Sequence, residues 1–283
     1  MDVIADGVRI FCLPVGSPEN PPLFLLHGGP GFDHTEMHPW LDALSDTFYL
    51  LYIDLRGHGR SQRVDPATAT LDVFANDITA MASAMGLERY AVLGHSFGSF
   101  VALTHAVKHG TATHYVVSGG TASFSKSAPE IQTNIDAFEP VELREQIRQS
   151  WAQEASVRTS EDVRRLWLMQ MPFHFATTES EAYRRAVDDA ENNPDTILAP
   201  EMLAYAAAHE YPIEYEDQLA SIQRPVLVIA GEQDRVCTPR AQRDMGVIPH
   251  SEVVIVPDAG HMSFVEQPDD YMTTVRNFYN RNR

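Results

Sequence analysis

Short apolar runs recur along the 283-residue chain, separated by polar or glycine-rich segments. Val8-Arg9-Ile10-Phe11-Cys12-Leu13 reads as a strand after an Ala-Asp-Gly turn. Residues 23–26, 49–53, 90–93, 115–117, 225–230 and 253–256 are continuous apolar runs of strand length, the pattern of strands buried on both faces. Between several of them the period changes. Thr70 stands as an N-cap ahead of Leu71, Phe74, Ile78, Met81 and Met85, one apolar stripe stopped by Gly86. Phe97, Val101, Leu103, Ala106 and Val107 lie at mostly helical spacings before Gly110, and residues 33–44 read as a further short helix. A closing helix carries Tyr271, Met272, Val275 and Phe278.

Strand character disappears from 121 to 216. That stretch holds charged amphipathic helices, one over 141–157 with Leu143, Ile147 and Trp151 at i, i+4 spacing, another over 160–171 with a Thr159 or Ser160 cap. The pattern predicts an α/β core, residues 1–120 and 217–283, interrupted by a helical cap, residues 121–216. Alternating strands and helices imply a mostly parallel sheet covered on both faces, with ligands at the carboxyl ends of its strands.

A formal charge of −18 argues against nucleic acid or an anionic membrane as partner, since either favours a basic face. Cys12 and Cys237 lie far apart without metal-type spacing, so both are expected as reduced thiols. No leader-like start and no membrane-length apolar run is present, which makes a cytoplasmic protein the expectation. Nothing in the pattern speaks to oligomeric state.

The loops that follow the strands carry the chemistry. Gly94-His95-Ser96-Phe97-Gly98 joins a strand to a helix, so Ser96 is the candidate nucleophile, held out on a strained turn. A serine needs a base with a pKa near 7 and a partner that fixes the base's tautomer. His261 and Asp234, both in loops after strands, suit these roles; Asp258 is the competing acid, though its place two residues before Gly260 suits a turn. His27-Gly28-Gly29-Pro30-Gly31 turns backbone N–H groups toward a ligand, and the amides of Gly29 and Phe97 are the expected oxyanion donors, with His27 bracing the loop. His34 with His38, and His105 with His109, sit at i, i+4 but lack a third ligand, so solvated helix faces explain them; neither a metal nor a cofactor is expected.

The glycine loop, together with Asp54-x-Arg56-Gly57-x-Gly59-x-Ser61, resembles the proline iminopeptidase-like branch of the α/β-hydrolases, and the resemblance runs the whole length. It implies a cap between the sixth and seventh strands and a serine triad without cofactor; Ser96, Asp234 and His261 occur in the chain order of such triads. The elbow departs from the branch: proline iminopeptidases commonly carry Gly-Gly-Ser followed by Trp or Tyr, whereas Gly94-His95-Ser96-Phe97 is frequent in esterases. An aspartate in place of Ser96 would mark a dehalogenase or epoxide hydrolase. The leading expectation is a serine hydrolase of small amides or esters, foremost an iminopeptidase-like aminopeptidase acting on a small-molecule or short-peptide substrate. Alternatives are a carboxylesterase or lactonase, a carbon–carbon bond hydrolase, and a ligand-binding receptor without turnover. An aminopeptidase must hold an ammonium, which calls for a carboxylate from the cap. Glu210 in its aromatic setting is the first choice, ahead of Glu154, Glu214 and Glu216.

Overall fold

The computed structural model describes residues 1–209 and 211–282. Eight strands form one sheet: β1 (Asp2–Ala5), β2 (Val8–Val15), β3 (Pro22–Leu26), β4 (Tyr49–Ile53), β5 (Ala91–His95), β6 (Tyr115–Ser118), β7 (Val226–Gly231) and β8 (Ser251–Val256), in the order β1-β2-β4-β3-β5-β6-β7-β8. β1 pairs β2 and β2 pairs β4 antiparallel; every later pair is parallel. The continuous apolar runs are the six parallel strands, and the reason is visible in β3: Phe24 and Leu26 enter one core, Leu23 and Leu25 the other. β7 divides in the same way, Val226 and Val228 against Leu227 and Ile229. A strand buried on both faces must be apolar at every position, and each such side chain contributes roughly 1.5–3 kcal/mol of transfer free energy.

Helices α1 (Leu71–Ala84) and α2 (Phe97–Lys108) supply the first core with Phe74, Ile78, Met81, Val101 and Leu103. Thr70 caps α1 as its sequence implies, its hydroxyl accepting the Val73 N–H. β1 is absent from the sequence reading. It is a four-residue edge strand with alternating exposed and buried positions, too short to register as a pattern.

Among the described residues five α-helices separate β6 from β7: α3 (Phe124–Ala137), α4 (Glu142–Gln153), α5 (Ser160–His174), α6 (Glu181–Asn192) and α7 (Pro200–His209). An isolated bridge, Ser123 to Glu214, joins the two ends of this segment. Thr159 caps α5 in a reciprocal box with Asp162. After β7 come α8 (Pro239–Asp244), and after β8 a short α9 (Ser263–Glu266) and α10 (Pro268–Arg281), whose Tyr271, Met272, Val275 and Phe278 fill the second core. Among the described residues no helix is long and apolar enough to cross a membrane.

Two expectations fail. The helix predicted over 33–44 is a pair of 3-10 turns, His34–Glu36 and Asp42–Asp46, because Pro39 in its middle supplies no N–H to a continuing helix. The histidine pairs do not lie on solvated faces: His34 and His105 are buried. His105 bridges the Tyr115 hydroxyl at 2.7 Å and Thr79 at 3.1 Å, and burial pushes its pKa down to about 3, so it is a neutral core residue.

Candidate active site

β5 ends at His95 and α2 begins at Phe97, which leaves Ser96 alone to make the turn, with φ +50° and ψ −117°. For a residue with a Cβ this backbone costs about 1–3 kcal/mol and persists only where the surroundings over-determine it. They do so through the flanking glycines. A Cβ on Gly94 would lie 2.0 Å from the Gly98 carbonyl oxygen, and one on Gly98 would lie 2.1 Å from that of Leu26. The two glycines let α2 start directly over β5 and β3, and Ser96 N–H is pinned to the Ser118 carbonyl at 2.9 Å.

Ser96, Gly29, Phe97 and His261 all line one cavity of about 360 Å³. Among the described residues no protein acceptor takes the N–H of Gly29 or of Phe97. His27, which precedes the loop, is buried and doubly held: its Nδ1 pairs with the Gly28 carbonyl at 2.8 Å and its Nε2 accepts the Leu55 N–H at 3.2 Å.

Asp234 Oδ2 lies 2.9 Å from His261 Nδ1, and both side chains are buried. The other carboxylate oxygen of Asp234 accepts the N–H groups of Val236 and Cys237, each at 2.9 Å, which fixes the carboxylate's orientation. Burial alone pushes the His261 pKa down, but the charge and hydrogen bond of Asp234, with the charges of Glu36 and Glu266, outweigh it and hold the imidazole above its ordinary value. Asp258, the competing acid, is exposed at φ +51°, a turn position. Glu210 lies outside the described residues.

Further residues stand around this cavity, and of these Glu36, Glu266 and His174 gave no signal in the sequence. Glu36, in a stretch read as a plain helix, lines the cavity and accepts the Gly28 N–H. Glu266 accepts the N–H of Gly260 and of Ala176, both at 2.7 Å, joining the His261 loop to the segment after α5. His174, at the end of α5, lines the cavity with its ring 5.4 Å from that of His261, and its carbonyl accepts the His261 N–H at 2.7 Å. Glu154 also lines the cavity, hydrogen-bonded to Gln170 at 2.6 Å; burial pushes its carboxyl up to about 7. No lysine or arginine is among the cavity's described lining residues.

Asp33, His34 and Asp54 bring three possible metal-ligand atoms within 4.8 Å of one another. Their polar atoms are already engaged. Asp54 accepts the N–H and Nδ1 of His34 and the N–H of Arg60, and Asp33 accepts the N–H groups of Thr35 and Ile197. Burial raises the Asp54 pKa by itself, but the hydrogen bond and charge of His34 prevail and hold the carboxyl below its ordinary value. The cluster braces the loop after β3 against the loop after β4.

The alpha/beta hydrolase fold family matches residues 21–268. The proline iminopeptidase PfmaB of Pestalotiopsis fici is 26% identical over 271 residues, covering 92% of this chain and 92% of that one. 3-Oxoadipate enol-lactonase 1 of Acinetobacter baylyi is 24% identical over 270 residues, covering 95% of this chain and 93% of that one. Among solved structures, a thermophilic esterase from Thermogutta terrifontis superposes with a TM-score of 0.75 at 24% identity, covering 100% of this chain and 98% of that one. The chain therefore belongs to the α/β-hydrolase fold family.

Proposed function

We propose that the protein hydrolyses small amides or esters by serine acyl transfer, and that its substrates are foremost those of an iminopeptidase-like aminopeptidase. The observation that carries this reading is the strained Ser96 on the wall of a cavity it shares with His261, whose Nδ1 is engaged by Asp234. With Nδ1–H donated to Asp234, the Nε2 lone pair of His261 is available to take the Ser96 proton as Oγ attacks the substrate carbonyl. The amides of Gly29 and Phe97 receive the oxyanion, each such donor being worth about 3 kcal/mol. His261 returns the proton to the leaving nitrogen or oxygen, water repeats the sequence on the acyl-enzyme, and the acid and Ser96 are regenerated.

Residues 121–216 act in this proposal as a cap that shapes the acyl pocket. Glu154, Trp151 and Gln170 from the cap line the cavity, and the absence of a lysine or arginine among its described lining residues supports a cationic group in the substrate. An α-ammonium entering a partly dry pocket needs such a carboxylate, since an unpaired buried charge costs several kcal/mol. Glu210 remains a second position to test. The esterase or lactonase reading is favoured by the many apolar side chains around the same cavity and by the enol-lactonase relative.

The deciding experiment is a panel of prolyl and alanyl p-nitroanilides, their N-acetyl counterparts, short-chain p-nitrophenyl esters and small lactones. The aminopeptidase reading expects free-amine anilides to be cleaved, N-acetylation to abolish the reaction, and Glu154→Gln or Glu210→Gln to raise KM for the amine substrate far more than for an ester. Activity on esters or lactones with none on anilides assigns the second reading. A fluorophosphonate that fails to label Ser96 refutes both.

A further inference from the structure

Glu36 is a half-buried acidic side chain that lines two cavities of the molecule. It closes the 3-10 turn His34–Glu36, whose first residue is fixed to Asp54 and whose N-cap, Asp33, is buried and fixed to Thr35 and Ile197. The arm that carries it is therefore rigid. Its Oε2 accepts the Gly28 N–H, one residue before the proposed oxyanion amide of Gly29. A Cβ built on Gly28 would lie 2.7 and 2.9 Å from the two Glu36 carboxylate oxygens and 3.1 Å from Ser96 Cβ, so the carboxylate and the Ser96 side chain both crowd the face of Gly28 that a side chain would occupy. No lysine or arginine forms an ion pair with Glu36 among the described residues.

We propose that Glu36 is a positioning residue of the hydrolytic reaction: its carboxylate clamps the Gly28 amide so that the Gly29 amide faces the oxyanion, and it acts on His261 as a second negative charge in addition to Asp234. This rests on the serine reading above. Among the described residues, the charged and titratable groups that share a cavity with Glu36 are His261, Glu154, His174, Cys237 and Tyr211 in the main cavity and Arg164 and Asp189 in a smaller one of about 60 Å³ that Glu36 also lines, with Asp33 on its own loop. Burial pushes the Glu36 carboxyl up to about 7, against the pull of the Gly28 N–H and of His261. When His261 takes the Ser96 proton, the new imidazolium favours the ionised form of Glu36, and that charge in turn stabilises the imidazolium. A fixed carboxylate so close to the oxyanion would oppose it if it had no N–H to accept. The Gly28 N–H offsets only part of that charge, so the clamp on the loop and the pull on His261 must outweigh the remaining repulsion.

The test compares wild type, Glu36→Gln and Glu36→Ala by the rate at which a fluorophosphonate labels Ser96 between pH 5 and 9, a readout that does not depend on the natural substrate. Glu36→Gln can still accept the Gly28 N–H but carries no charge. Its labelling profile is expected to keep its shape while the acid limb moves to lower pH by about half a unit, as a neighbouring negative charge is lost. Glu36→Ala also frees Gly28, and its plateau rate is expected to fall at least about tenfold below that of Glu36→Gln, a fraction of the effect of deleting an oxyanion donor. Where Glu36→Ala does not fold, the acid limb of Glu36→Gln decides alone. Profiles of both variants that superpose on wild type overturn the proposal. So does a rise in KM confined to free-amine substrates with labelling unchanged, which would make Glu36 the ammonium acceptor. A wild-type protein that is not labelled at all refutes the serine reading, and this proposal with it.

Discussion

Replacing Asp234 by Asn tests the relay at the group whose geometry is most tightly specified. One oxygen of Asp234 accepts two N–H groups, from Val236 and Cys237, and the other faces His261 Nδ1, all three at 2.9 Å. An asparagine can keep its carbonyl on Val236 and Cys237 and turn its NH2 toward His261. The reverse orientation leaves two N–H donors facing an NH2, that of Cys237 buried and that of Val236 partly so, at about 1–3 kcal/mol for the buried one, so the first orientation prevails. His261 Nδ1 must then accept a hydrogen bond, which puts the ring proton on Nε2 and removes the lone pair that would take the Ser96 proton. A wrong tautomer in a buried triad lowers kcat by about 10⁴, equivalent to about 5.4 kcal/mol in the barrier. KM should change little, and so should the melting temperature, because the loop bonds survive. Initial rates on the best substrate, fluorophosphonate labelling and a thermal melt measure all three. A variant that retains more than a tenth of wild-type kcat would refute the reasoning, as would an Asp258→Asn substitution more damaging than Asp234→Asn.

Ser96→Ala and His261→Ala should each remove most turnover, and the double variant should be no worse than the poorer single one, because the two act as a unit; a double variant much slower than both in kcat would separate them. kcat/KM should fall as pH drops through a limb above the ordinary histidine value near 6.5, since His261 must be neutral to act as base and its pKa is raised; a limb below that value, measured across a pH series, would contradict the electrostatics. Gly98→Ala should cost more than about 4 kcal/mol and lower the melting temperature by more than about 10 °C, because its Cβ would fall 2.1 Å from the Leu26 carbonyl oxygen; a stable variant melting near wild type would show that α2 can shift away from β3.

The parallel sheet was legible because two-sided burial leaves a continuous apolar run wherever a strand crosses the core, as in residues 225–230. The elbow was legible because Gly94 and Gly98 are demanded by close backbone approach, a requirement that leaves a spacing in the sequence. Glu36 and His174 left none. Both make their contacts across the fold, Glu36 to Gly28 from the end of a three-residue 3-10 turn and His174 to His261 from the end of a helix, and a charge or a histidine at a helix end reads the same whether it faces water or a cavity. His34 misled for that reason: its i, i+4 partner His38 suggested a helix face, while the residue that gives His34 its role, Asp54, is twenty positions away and meets it only through the pairing of β3 with β4.

The same tertiary contacts constrain how the helical segment between β6 and β7 can serve the chemistry. The end of α5 is tied to the loops that carry the proposed base and acid: the His174 carbonyl takes the His261 N–H at 2.7 Å, Glu266 takes the Ala176 N–H at 2.7 Å, and Arg235 donates to the Phe175 carbonyl at 2.7 Å. A Cβ on Gly260 would lie 2.6 Å from the His174 carbonyl oxygen, so the His261 loop can approach α5 this closely only because residue 260 is glycine. Hinging α5 outward would break bonds that also position His261, and would therefore disable the base while it opened the pocket. The other walls of the cavity carry Phe124 and Ile131 of α3 and Leu203 and Ala206 of α7, and these helices are tied to the site as well: Asn134 of α3 donates to the Arg235 carbonyl at 2.9 Å, and the Ala199 N–H, just before α7, to the Gly31 carbonyl at 2.8 Å. Substitutions at Phe124, Ile131, Leu203 or Ala206, whose side chains make none of these bonds, are expected to change pocket shape with the loops left in place, whereas those at the end of α5 are expected to change specificity and catalysis together.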